Sequence, residues 1–164
     1  MSPARPFTPY DGDHYDAHKS IGHQIAKLML VMRRELELRM AEHGLTDAQW
    51  KPLWILKTRT EATAIELARE MDMDAGAVTR LVDRLEAKGL VERARSEFDR
   101  RVVHLRLTPA GDSATQEVPH VLASLNNDFL RGFTENEWKQ LCDLIGRMAA
   151  NGNALQAEKE SPST

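Results

Sequence analysis

Arg80 and Arg84 stand one helical turn apart, with Asp83 beside them, in a segment where Val78, Leu81, Val82 and Leu85 keep the spacing of one buried helix face. At about 100° per residue, Gly76, Arg80, Asp83, Arg84 and Ala87 fall on the opposite face, and Thr79 borders it. Guanidiniums on such a face can reach guanine edges or phosphates, and small residues at Gly76 and Ala87 allow a close approach. Asp83 could hold an arginine in position. A second group, Asp99, Arg100 and Arg101, lies in "SEFDRR" between two strand-like runs, roughly Leu90 to Arg95 and Val102 to Leu107. Arginines on a projecting hairpin tip suit the minor groove of a duplex, with Asp99 placed to brace one of them. The chemistry on offer is recognition of a polyanion.

The charge distribution points the same way. The chain of 164 residues has a formal net charge of −3, which argues against indiscriminate polyanion binding. Between Ala75 and Leu107, however, eight Lys/Arg face five Asp/Glu, so this segment is +3 and the remainder −6. An enzyme finds no support: there is no phosphate-cradling Gly-rich loop, no GxSxG and no HExxH. No cofactor or metal is expected. His14 and His18 are four apart, but no cysteine lies near them. The longest apolar run, Leu28 to Met32, is too short to span a bilayer, and the Pro-rich N-terminus lacks a signal-peptide core. One cysteine, Cys142, fits a reducing cytoplasm, and its place between Leu141 and Leu144 suggests a buried small hydrophobe.

The expected fold is mainly α with a small β-hairpin. A flexible arm (1–16) precedes a long helix from about Ala17 to Glu42, apolar on more than one face. Thr46 with Gln49, and Thr63 with Glu66, form capping boxes that start the second and third helices. Asp74 caps a fourth, Ala75 to Lys88, stopped by Gly89. After the hairpin, Thr108 and Pro109 open a fifth helix bent at Pro119. Thr134 with Glu137 opens a sixth, ending near Ala150. A polar tail (154–164) is expected to be disordered. Short helix, tight turn, helix and hairpin in that order make a winged helix-turn-helix lobe at 45–107, whose second helix enters the major groove. The lobe sits between a dimerisation helix (17–44) and dimerisation helices (108–153). Apolar residues of the first helix, and Leu122, Leu125, Phe129, Phe133, Leu141, Leu144 and Met148, exceed what a small wing domain needs.

The runs "LTDAQWKPLWIL", "AIELAREMDMDAGAVTRLVDRLEAKGLVER" and "DRRVVHLRLTPAG" resemble, in order and spacing, the multiple antibiotic resistance regulators, or MarR family. The resemblance covers roughly Leu45 to Gly111. It implies a homodimeric transcriptional repressor, its terminal helices interlocked, with the recognition helix in the major groove and the wing arginine in the minor groove. Arg80 and Arg84 match the family's recognition-helix arginines, and Asp99 and Arg101 its bracing acid and minor-groove arginine. Two copies would read a pseudo-palindromic double-stranded operator at a spacing of about 10 bp.

Relatives of this kind commonly release DNA on binding a small aromatic carboxylate or phenol near the second helix. Trp50 and Trp54, with His23 or Arg33 as anion partners, are the expected contacts, although an aromatic pair at helical spacing is more usually core. Two rival readings are a redox sensor using Cys142 and an architectural DNA-binding protein without an effector. Strong preference for a specific site over random DNA would separate a regulator from the latter.

Overall fold

The computed structural model describes residues 7–95, 99 and 101–160. Two compact units, Met1–Leu125 and Asn126–Thr164, make up the chain. In the first, α1 (Ile21–Glu42) starts at Ser20, whose hydroxyl accepts the His23 N–H at 3.3 Å. The Tyr10 hydroxyl accepts the Ile21 N–H at 2.8 Å, so the arm supplies a cap to the helix it precedes. Residues 17–19, expected inside α1, form a 3-10 turn instead, because Ser20 takes the capping role.

Helices α2 (Asp47–Arg59), α3 (Ala64–Met71) and α4 (Ala75–Ala87) follow. The capping boxes operate as expected: Gln49 Oε1 accepts the Thr46 N–H at 3.1 Å, and a Glu66 carboxylate oxygen accepts the Thr63 N–H at 2.7 Å. The Thr63 N–H and hydroxyl both donate to Glu66, holding its pKa below the ordinary glutamate value. Between α3 and α4, Asp72 takes a left-handed conformation at φ 52° and Asp74 caps the Ala77 N–H at 2.9 Å, which makes the sharp turn of a helix-turn-helix.

The hairpin strands are β2 (Val91–Arg95) and β3 (Val103–Leu107). A short strand that the sequence pattern did not reveal, β1 (Ala62–Thr63), joins them in the order β1-β3-β2, all antiparallel. Two residues are too few to show a period, so only the long-range pairing with Leu105 and His104 defines this strand. The core gathers Leu53 and Leu56 of α2, Leu67 of α3, Val78, Leu81, Val82 and Leu85 of α4, and Val91 and Leu105 of the sheet. At about 1.5–3 kcal/mol for each side chain buried, the four apolar residues of α4 outweigh any capping contribution in seating that helix.

The expected bent fifth helix is two helices, α5 (Pro109–Ala114) and α6 (Val118–Phe129). Pro119 sits in the first turn of α6, where its missing N–H is harmless, and so marks a start where a bend was expected. In the second unit, α7 (Glu135–Glu160) runs past Ala150 through most of the stretch expected to be a disordered tail. Ala154, Leu155, Ala157, Glu158 and Lys159 are strong helix formers, and that propensity outweighs their low hydrophobicity. Cys142 is exposed on α7, contrary to the buried position expected; nothing in the pattern of one helix says which face will be covered.

At the base of the hairpin, the Thr108 N–H donates to the Leu90 carbonyl at 3.1 Å and its hydroxyl to the Gly89 carbonyl at 2.5 Å. A Cβ on Gly111 would overlap the Leu90 carbonyl oxygen, so only glycine lets α5 dock this closely. Gly111→Ala should therefore lower the denaturant midpoint by an amount worth about 1–3 kcal/mol, the usual cost of forced overpacking. Glu66 titrates below its ordinary value in the folded chain. Its contribution is present above the unfolded glutamate range and is lost as the pH falls through the depressed folded value. Unfolding free energies of the wild type and Glu66→Gln should thus converge in acid.

Candidate nucleic-acid interface

The face of α4 opposite its buried side carries the expected residues. Gly76, Thr79, Arg80, Asp83, Arg84 and Ala87 are all exposed, while Val78, Leu81, Val82 and Leu85 are buried. Thr79 turns its hydroxyl back to the Ala75 carbonyl at 2.8 Å. The guanidiniums of Arg80 and Arg84 enter no ion pair among the described residues, so both remain available to an outside anion. Asp83 does hold an arginine, but that arginine is Arg93 of β2, at 2.6 Å. Arg93 also pairs with Glu86, and these contacts raise its pKa further, the hydrogen bond to Asp83 contributing most.

Asp99 and Arg101 lie together at the hairpin end. The Arg101 N–H donates to Asp99 Oδ1 at 2.9 Å, and the Val102 N–H donates to the Asp99 carbonyl at 2.9 Å. Asp99 thus braces the backbone that carries Arg101, whose side chain is exposed. Arg100 lies outside the described residues.

Cross-strand pairing places Arg93 opposite Leu105 and Arg95 opposite Val103, so these share one face with Val91 and Leu107. On the other face, Arg106 donates from Nε to Glu61 at 2.8 Å, and His104 Nδ1 stands 3.8 Å from the same carboxylate. Arg93 and Arg106 were absent from the sequence-based site. Strand parity was the available signal, since Arg93 alternates with Val91 toward the covered side, but its acidic partners lie on another element.

The four candidate ligand contacts are only partly brought together. Asp47 accepts from Arg33 Nη2 at 2.8 Å and from Trp50 Nε1 at 3.1 Å, uniting these two. The Arg33 guanidinium also donates to Glu37 at 3.2 Å, so its charge is already engaged. Trp54 is half-buried against the core, as is Trp50. His23 lies about 15 Å along α1 from Arg33, beside the His18 ring at 5.1 Å. A cavity of about 170 Å³ between α2 and α4 is lined by Thr46, Ala48, Gln49, Leu81, Arg84, Leu85 and Lys88, none of them among the four. Among the described residues, no group of three or more His, Cys, Asp or Glu could hold a metal, and no helix is long and apolar enough to cross a membrane.

The MarR family model matches residues 45–103, the span from the start of α2 into β3. A cysteine-to-serine mutant of Escherichia coli MarR, solved in complex with operator DNA, is 28% identical, with a TM-score of 0.71 over 82% of this chain and 99% of that one. The reduced form of E. coli MarR is also 28% identical, with a TM-score of 0.68 over 79% and 96%. This chain carries a MarR-family domain over residues 45–103 and resembles solved MarR regulators. It is a DNA-binding transcriptional regulator with the winged-helix fold of that family, and not an enzyme. BpsR of Bordetella bronchiseptica, whose DNA binding is regulated by 6-hydroxynicotinic acid, shares the fold at 21% identity, with a TM-score of 0.72 over 82% of this chain and 96% of that one. Within the MarR lobe, the Asp99 brace has a local signature. Asp99→Ala should accelerate amide hydrogen exchange at Arg101 and leave exchange at the central Leu105 unchanged.

Proposed function

We propose that this MarR-family regulator is a homodimeric repressor that binds a pseudo-palindromic operator and is released by a small aromatic carboxylate or phenolic ligand. The observation that carries the DNA part is the exposed face of α4. Arg80 and Arg84 project there without ion pairs among the described residues, and the same lobe carries Arg101 on a braced hairpin end. Arg80 and Arg84 are assigned to base edges and phosphates of the major groove, with Gly76 and Thr79 at the closest approach and Arg100 and Arg101 at the minor groove.

The dimer is supported by apolar residues that a single chain leaves uncovered. On α1, Leu28 is 49% exposed, Leu30 70% and Val31 56%; on α7, Leu144 and Ile145 are each 54% exposed. Large apolar side chains left exposed on a helix support a surface covered by another chain. A second copy covering them is the proposed dimerisation, and its two-fold symmetry would present two α4 helices to successive major grooves. Support for the ligand class comes from Trp50 and Arg33 meeting at Asp47, where a ligand carboxylate would have to displace Asp47 to use the cation beside the ring. The BpsR effector is likewise a small aromatic acid. Such a ligand would act by preferring a dimer whose α4 helices are wrongly spaced for DNA. Action on DNA supports a cytoplasmic location.

Arg84→Ala and Arg101→Ala should each weaken operator binding by about 1–3 kcal/mol with circular dichroism unchanged. Unaltered affinity in both would refute the contact assignment. Sedimentation should give twice the chain mass. A panel of aromatic carboxylates and phenols should contain a compound that both releases DNA and quenches tryptophan emission. A panel without effect on either signal would remove this ligand class.

A further inference from the structure

Arg93 differs from the other described arginines of the candidate interface, because both of its terminal nitrogens are engaged by carboxylates of the recognition helix. Nη2 meets Asp83 at 2.6 Å and Nη1 meets Glu86. The two acids are three apart on α4 and therefore neighbours on its surface, a pair that a guanidinium fork can bridge and an ammonium cannot. Arg93 stands on β2, the strand that leads into the hairpin end, and a third of its side chain is exposed. On the opposite strand, Arg106 is tied to Glu61, which anchors β3 to the segment before β1. Each strand of the hairpin is thus fastened by one arginine, and of the two only the Arg93 fastening reaches the recognition helix.

We infer that Arg93 is a positioning residue for DNA binding: by bridging Asp83 and Glu86 it sets the wing at a fixed offset from α4, so that major-groove and minor-groove contacts form together. This rests on the proposed contacts of Arg84 and Arg101. Without the bridge, the wing must be ordered anew each time DNA binds, and the contribution of Arg101 is offset by that ordering. A competing account is electrostatic, in which Arg93 only masks two carboxylates that would repel phosphates. The two accounts give opposite signs. Arg93→Met makes the face more negative and Asp83→Asn/Glu86→Gln makes it more positive, yet both open the bridge.

The test uses the full-length protein and a duplex selected by the wild type from a random-sequence pool. Binding is measured with and without Arg101→Ala in each background. In the wild type, Arg101→Ala should weaken binding about tenfold or more. In Arg93→Met and in Asp83→Asn/Glu86→Gln, the same change should cost less than about threefold, because the wing contact is already lost. Arg93→Lys, which keeps the charge without the fork, should fall between these limits and serves if the methionine variant unfolds. The Arg101 amide should also lose order on the nanosecond timescale in Arg93→Met without DNA. A full tenfold cost of Arg101→Ala in both opened backgrounds, with tighter binding by Asp83→Asn/Glu86→Gln, would overturn the inference in favour of charge masking. No cost of Arg101→Ala in the wild type would instead remove the wing contact itself, and with it any role for the bridge in DNA binding.

Discussion

Leu105 is paired on both sides, with Arg93 across β2 and with Ala62 across β1, and its side chain is buried. Side chains alternate along a strand, so this single registration decides where every residue of the hairpin points. It sends Val91 and Leu107 toward the lobe's core and Arg93 toward α4, and leaves His104 and Arg106 for Glu61. A slip of one residue would turn Leu105 to solvent and Arg93 away from its two acids. The expense of exposing a leucine and opening two ion pairs holds the register, and the register aims the wing.

The charge pattern follows the same geometry. A chain with net charge −3 can bind a polyanion selectively when its uncompensated cations share one side of one lobe. Here the pairing is selective: Arg93 and Arg106 are consumed by Asp83, Glu86 and Glu61, while Arg80 and Arg84 enter no ion pair among the described residues. The acids near the interface are therefore part of its architecture. They hold structural arginines, and the acidic surplus elsewhere disfavours adsorption to DNA by any other surface.

Exposed leucine, isoleucine and valine on α1 and α7 set a different constraint. A helix apolar on more than one side is stable only when more than one side is covered. The buried residues of α1 are few, Met40 alone among those of the helix proper, whereas the apolar residues of its middle stay exposed in the single chain. Folding and the proposed association are coupled through these helices, as they are in any dimer whose protomers lack a complete core.

Much of the lobe was legible in the residue order because its signals are local. Capping boxes at Thr46 and Thr63, the Asp74 cap and the four-residue apolar set of α4 each act within one or two turns, and each appears where the pattern placed it. The family resemblance was legible for the same reason, since it resides in one uninterrupted lobe. Where propensity competed with composition, the reading failed: α7 extends through a polar stretch of good helix formers, and Pro119 begins a helix it was expected to bend. The sequence by itself determined which residues cap, which face of α4 is buried, and which arginines are left on the other. Tertiary structure alone decided the β1 pairing, the exposure of Cys142, the Arg33 and Trp50 meeting at Asp47, and the Arg93 bridge. Those features join residues far apart in the chain, and their energies depend on an approach that no local pattern encodes.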